Sequence, residues 1–266
     1  MQDLLNFGQM LSCHARLSPN RIGARDLDRA MTFAQWNARS CRLANALLGL
    51  GLAKGDRVAI LAYNCVEWVE IYAAMAKAGL VAVPVNFRLV AAEARYILEN
   101  AGASALIVQD ELAGIVEELR NDMPVAADRL IHFGKGPCPA GYRAYEDLLA
   151  AASDREPLQH VSTADPWMLM YTSGTTGRPK GAIRSHRGGA LLALVTQVEL
   201  GIHRNDDALL VMPMCHANCC IFSVPSAIAA APRQSIRARA SIPNIASRRW
   251  PKTDRASPRW CPPITA

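Results

Sequence analysis

Between residues 58 and 133 the chain alternates short apolar runs with helix-periodic segments, and this alternation narrows the possible folds more than any other feature. Val58–Ala62 reads as a strand after the Gly55-Asp56 turn, Glu67–Ala78 as a helix closed by Gly79, and Val81–Val85 as the next strand. Ala91–Asn100 follows as a helix stopped before Gly102, then Ala105–Val108 as a strand, Glu111–Arg120 as a helix and Leu130–Phe133 as a fourth strand. These strands are near-continuous apolar runs, without the polar alternation of a half-solvated sheet. Such runs belong to a parallel sheet covered by helices on both faces. The pattern predicts an α/β fold with a layered parallel sheet.

The flanks fit that frame. Leu4, Phe7, Met10 and Leu11 form a helical stripe within Asp3–Ala15. Ile22–Arg25 and Ala30–Phe33 read as a small hairpin around the Asp26–Arg29 turn. Thr32 is placed to cap a helix whose core face is Trp36, Ser40, Leu43, Leu47 and Leu50, ended by Gly51. Further on, Gly134–Gly141 is a loop, Tyr145–Ala152 a short helix, and Ser153–Pro166 a polar connection. Gly189–Leu200 reads as a helix and Ala208–Met212 as a buried strand.

Tyr171-Thr-Ser-Gly-Thr-Thr-Gly-Arg-Pro-Lys-Gly181 lies between two apolar runs, Trp167–Met170 and Ala182-Ile183, and reads as strand, tight loop, strand. Its glycines allow positive φ and close approach of backbone N–H groups to a ligand. Consecutive N–H groups in such a turn form an anion-binding nest, to which the hydroxyls and Lys180 add donors and positive charge. The loop suits a polyphosphate. It is not the common P-loop: Gly174 and Gly177 are too close together, and Pro179 before Lys180 argues against a helix starting at the lysine. A Ser/Thr/Gly surface linker is the plain alternative, but a linker has no need of apolar strands on both flanks.

Thr172–Gly181 resembles the phosphate-binding signature of the adenylate-forming superfamily, which contains acyl-CoA synthetases, luciferases and peptide-synthetase adenylation domains. Met31–Trp36 is similar to the superfamily's first short signature, and Ala76–Asn86 to its second, in the acyl-CoA synthetase form. Met212–Asn218 resembles the fourth, where a proline, an aromatic and a histidine line the acyl pocket; this chain has Cys215 in place of the aromatic and Cys219 in place of a glycine. The resemblance covers roughly residues 1–230. It implies the N-terminal part of an αβαβα-like layered enzyme that joins a fatty or aryl carboxylic acid to ATP and then transfers the acyl group to CoA. By the same resemblance, Thr172, Ser173, Gly174, Thr175, Thr176, Gly177 and Lys180 hold the ATP phosphates, with Thr176 toward Mg2+, and Lys180 and His216 are the catalytic candidates. From the residues alone, His216 reads as a partly buried histidine satisfied by a backbone carbonyl.

Composition matters mainly at the end of the chain. Residues 231–266 hold seven Arg, one Lys and one Asp, a charge of +7, so the net +6 leaves about −1 for the first 230 residues. The same segment has six Pro and no Leu, Val, Phe, Gly or Glu, which predicts a disordered tail after a partial AMP-binding domain over 1–230. It resembles the product of a frameshift near Ala229–Arg233, which implies a truncated and inactive fragment. The alternative is a nucleic-acid-binding protein with a basic arm, although the arm carries no reading motif. The uncharged run between Asp207 and Arg233 is interrupted by Pro213, His216, Asn218 and Pro225, against a membrane span. Cys215, His216, Cys219 and Cys220 lack paired zinc ligands elsewhere and read as small buried residues. Arg184, His186 and Arg187 read as a solvated helix start. Eight scattered cysteines with no secretory signal at the start predict reduced thiols in the cytoplasm.

Overall fold

The computed structural model describes residues 6–172, 178–203, 206–216 and 233–236. Helix α1 (Phe7–Leu17) begins at a capping box: Asn6 Oδ1 accepts from Gln9 N at 2.9 Å, and Gln9 Oε1 from Asn6 N at 2.9 Å. The predicted earlier start, with Leu4, lies outside the described residues. Strands β1 (Ile22–Arg25) and β2 (Ala30–Thr32) form the expected antiparallel hairpin, with Asp26 Oδ1 accepting from the backbone of Asp28 and Arg29. Thr32 caps α2 (Phe33–Gly49), again through a capping box, here with Gln35. Trp36, Ser40, Leu43 and Leu47 are buried along this helix as their spacing predicts. The Trp36 indole N–H donates to Val69 O at 2.9 Å, so a large apolar ring enters the core with its polar atom satisfied.

The strands β3 (Arg57–Leu61), β4 (Val81–Val85), β5 (Ala103–Gln109), β6 (Leu130–Phe133), β7 (Arg143–Ala144), β8 (Pro166–Tyr171) and β9 (Gly181–Ser185) form a seven-stranded sheet in the order β7-β6-β5-β3-β4-β8-β9. Neighbours run parallel from β7 through β8, and β9 is antiparallel to β8. The connecting helices are α3 (Glu67–Ala78), α4 (Ala91–Ala101), α5 (Ala113–Glu118), α6 (Tyr145–Ala151) and α7 (His186–Glu199). Alternate residues of each strand enter opposite cores. Val58, Ile60, Ala82 and Ile107 join one with Trp36, Trp68 and Trp167, while Ala59, Leu61, Val83 and Val108 join another with Ile97 and Leu98 of α4. Both faces are covered, which is why the strands read as continuous apolar runs. β4 pairs with β3 over its whole length but with β8 at the single registered pair Ala82↔Met168, and Pro84 sits within it.

Glu70 of α3 has no exposed surface. Its carboxylate accepts from Arg39 Nε at 2.6 Å and Nη2 at 3.1 Å, from Arg29 Nη2 at 2.9 Å and from the Tyr145 hydroxyl at 2.9 Å. One carboxylate therefore ties the hairpin, α2, α3 and α6 together. Burial pushes the Glu70 carboxyl up from its ordinary range, and the hydrogen bond and charge of Arg39 pull it down.

Four elements differ from expectation, the first being the buried strand expected over Ala208–Met212, which is Asp207–Leu210 with Val211 and Met212 exposed. The Glu111–Arg120 helix is broken into a 3-10 turn (Asp110–Leu112), a short α5 and a second 3-10 turn (Arg120–Asp122); Gly114 weakens the helical run and Pro124 ends it. The helix expected from Gly189 begins at His186, because Ser185 Oγ caps it by accepting from Gly188 N at 3.2 Å. Within the tail predicted to be disordered, Arg233–Ile236 forms a strand, β11, parallel to both β1 and β10 (Asp207–Leu210), in a second sheet of order β10-β11-β1-β2. A ladder needs only backbone N–H and C=O groups, so composition does not exclude it. The rest of 231–266 lies outside the described residues. Among the described residues no helix is long and apolar enough to cross a membrane.

Candidate functional site

In a parallel sheet the loops leaving the carboxyl ends of the strands gather on one edge, the usual ligand position in open α/β folds. The β8–β9 hairpin places its loop on that edge. Tyr171 pairs with Gly181, Thr172 N donates to Lys180 O at 3.0 Å, and Lys180 N lies 3.5 Å from Thr172 Oγ1. The expected strand–loop–strand is therefore present, with Thr172 and Lys180 brought together and both exposed. A Cβ at Gly181 would stand 2.8 Å from Leu169 Cδ1, so a side chain there would require the Leu169 side chain to shift. Ser173, Gly174, Thr175, Thr176 and Gly177 lie outside the described residues. The ends of the loop rest on α4: Tyr171 OH donates to Asn100 Oδ1 at 2.7 Å, Tyr96 OH to Pro179 O at 3.2 Å, and the Arg178 guanidinium lies 5.5 Å from the Tyr96 ring centre.

The Met212–His216 segment is held by Asn64, just beyond β3. The Asn64 amide donates to Met212 O at 2.8 Å and accepts from Met214 N at 2.7 Å, while Tyr72 OH donates to Met214 O at 2.7 Å. Met214 is buried and His216 exposed, its N–H donating to Pro213 O at 3.0 Å. The exposure of His216 departs from the partly buried histidine read from the residues alone. Burial pushes the Cys215 thiol up to about 11, so it stays a thiol at neutral pH and is a packing residue. Asn64 escaped the sequence reading; a polar residue in the loop that follows an apolar strand of an α/β repeat is the signal that could have found it. Cys219 and Cys220 lie outside the described residues.

His186 corrects an expectation. Instead of standing at a solvated helix start, its side chain is buried at 2% exposure and stacks on Trp167, ring centres 5.8 Å apart. Gly189, one turn along, admits the helix to this ring: a Cβ there would meet Trp167 at 3.1 Å. Neither ring nitrogen of His186 has a hydrogen-bond partner among the described residues, nor does the buried Thr163 hydroxyl. Burial holds the imidazole down at about 4; the charge of Asp165 opposes this and that of Lys54 reinforces it.

This loop, on this edge of this sheet, lies inside a sequence match to the AMP-binding enzyme family that runs over residues 12–243. The chain belongs to that family. The match passes residue 230 and takes in β11. Within the AMP-binding enzymes, the chain is 37% identical over 222 residues to the long-chain-fatty-acid–CoA ligase FadD13 of Mycobacterium tuberculosis, covering 79% of this chain and 41% of that protein. It is 39% identical over 203 residues to a feruloyl-CoA synthase of Amycolatopsis, covering 76% and 38%. Among solved structures, the N-terminal domain of FACL13 from M. tuberculosis superposes with a TM-score of 0.76 at 32% identity, over 87% of this chain and 57% of that one. The anthranilate CoA ligase AuaEII in complex with anthranoyl-AMP gives a TM-score of 0.82 at 27% identity, over 91% and 46%. The fold is that of the N-terminal part of adenylate-forming enzymes, and the chain spans about two-fifths of the length of these curated relatives.

Proposed function

We propose that this chain carries the phosphate-binding part of an ATP-dependent acyl-CoA synthetase. In that reaction a carboxylate oxygen attacks the α-phosphorus of ATP, pyrophosphate leaves, and the CoA thiol then displaces AMP from the acyl carbon. The observation that supports this best is the β8–β9 hairpin, which joins Thr172 to Lys180 on the ligand edge of the sheet. Thr172, Ser173, Gly174, Thr175, Thr176 and Gly177 supply N–H and hydroxyl donors to the phosphates. Lys180 neutralises the charge that develops as pyrophosphate departs. In this reading the Thr176 hydroxyl would help hold magnesium, and the ion would supply positive charge for the departing pyrophosphate. His216 borders the acyl site. The relatives include a fatty-acid–CoA ligase and an aryl-acid–CoA synthase, and the substrate is an acid of one of these two classes.

The domain reading is a partial AMP-binding domain over 1–230, followed by an Arg/Pro-rich segment in which β11 extends the folded part to residue 236. Helix α7 turns Leu191, Leu194, Val195 and Val198 outward, an i, i+3, i+4, i+7 stripe of the kind that normally packs against further structure. The chain alone then binds nucleotide but turns over little or not at all. A cytoplasmic location is the reading for a chain whose eight cysteines are scattered without framework spacing.

Equilibrium dialysis with ATP tests the nucleotide assignment. Lys180→Ala is expected to weaken binding by about tenfold, the effect of losing one charge-assisted contact. An unchanged affinity would remove Lys180 from the phosphate site. Carboxylate-dependent ATP–pyrophosphate exchange by the purified chain is expected to stay at background, and robust exchange would overturn the fragment reading.

A further inference from the structure

Tyr96 and Asn100 lie four residues apart on α4 and so share one face of that helix. That face meets both ends of the Thr172–Lys180 loop. On the outgoing side, Tyr171 OH donates to Asn100 Oδ1 at 2.7 Å. On the returning side, Tyr96 OH donates to Pro179 O at 3.2 Å, and the Tyr96 ring lies 5.5 Å below the Arg178 guanidinium. The carbonyl of Pro179 and the N–H of Lys180 belong to one rigid peptide unit. Tyr96 holds the oxygen of that unit, and Thr172 Oγ1 faces its N–H at 3.5 Å. Lys180 O in turn accepts from Thr172 N at 3.0 Å. The backbone on both sides of the Lys180 Cα is therefore fixed, on one side by a helix that lies outside the loop and its signature.

We infer that Tyr96 and Asn100 are positioning residues that clamp the two ends of the phosphate loop and orient Lys180. A glycine-rich loop has much conformational freedom to lose when it closes on an anion. Fixing both ends beforehand removes part of that loss and holds the Lys180 backbone in place. The hydroxyl of Tyr96 acts on the peptide and its ring on Arg178, so the two contributions are separable by substitution. The role rests on the nucleotide reading of the loop, but the geometry it invokes is present without nucleotide.

Trypsin provides a direct reading, because it cuts after Lys180 and is blocked at Arg178 by Pro179. In the purified chain, Tyr96→Phe keeps the ring and loses the hydroxyl, and Asn100→Ala loses the acceptor for Tyr171. Each is expected to raise the rate of cleavage after Lys180 by about fivefold, the loss of one hydrogen bond, and to weaken ATP affinity by a similar factor. Melting temperature should stay near that of the parent, and Asn100→Asp, which retains the acceptor, should restore both readings. Parent-like cleavage in both Tyr96→Phe and Asn100→Ala overturns the clamp. Faster cleavage in a chain that shows no ATP binding supports the clamp and overturns the nucleotide reading instead.

Discussion

Replacing Glu70 by alanine is expected to lower the free energy of unfolding by about 3–5 kcal/mol, the usual consequence of breaking a buried ion pair from one side. The carboxylate is fully buried and engages Arg39 through both oxygens, with Arg29 and Tyr145 as further donors. Glu146 remains for Arg39, at 2.7 Å, and Glu67 for Arg29, at 3.0 Å, so the arginines retain part of their pairing. The buried Tyr145 hydroxyl loses its acceptor outright. Glu70→Gln keeps an oxygen in place and should lose clearly less. Urea unfolding of the three proteins measures this, and a loss below about 1 kcal/mol for the alanine variant would mean that the network is dispensable.

The second large effect is on acid stability. In the unfolded chain His186 takes up a proton near 6.5, and in the folded chain not until about 4. Between those values the unfolded state binds more protons, so stability falls as pH is lowered through this window, and above it the residue contributes no pH dependence. The accumulated loss is on the order of 3 kcal/mol by the lower end of the window. His186→Phe keeps a ring against Trp167 and cannot titrate. Its melting temperature should decline less steeply than the parent's between pH 6.5 and pH 4, with no penalty at neutral pH. Parallel declines in the two proteins would show that the imidazole already carries a proton in the fold.

What the sequence revealed and what it hid divide along the range of the interactions. Glu67–Ala78 and Val81–Val85 were legible to the residue, because both signals are local: a helical period closed by the left-handed Gly79, and an apolar run long enough to fill both faces of the sheet. Thr32 was legible as a cap for the same reason. At the site, the hairpin and its loop were readable from composition and flanks. Asn64, Tyr96 and Asn100 were not, since each acts on backbone 83 to 150 residues away or on a tyrosine 71 residues away, where no period carries information. His186 was misread because charge-bearing neighbours suggest solvent, whereas its burial is set by Trp167, nineteen positions earlier, and by the space that Gly189 leaves. The same blindness to partners hid β11, whose neighbour β1 lies at the other end of the chain.

The order of the strands sets a timetable for synthesis. As the chain emerges, β3, β4 and β5 can assemble once residue 109 is made, whereas β8, the outer neighbour of β4, does not begin until Pro166. Throughout that interval β4 is the rim of a growing apolar sheet, open to any other nascent strand. Pro84 has no N–H to give to a neighbouring strand at its position. In the finished sheet the same residue stands in an interior strand, which keeps a full ladder with β3 and one registered pair with β8.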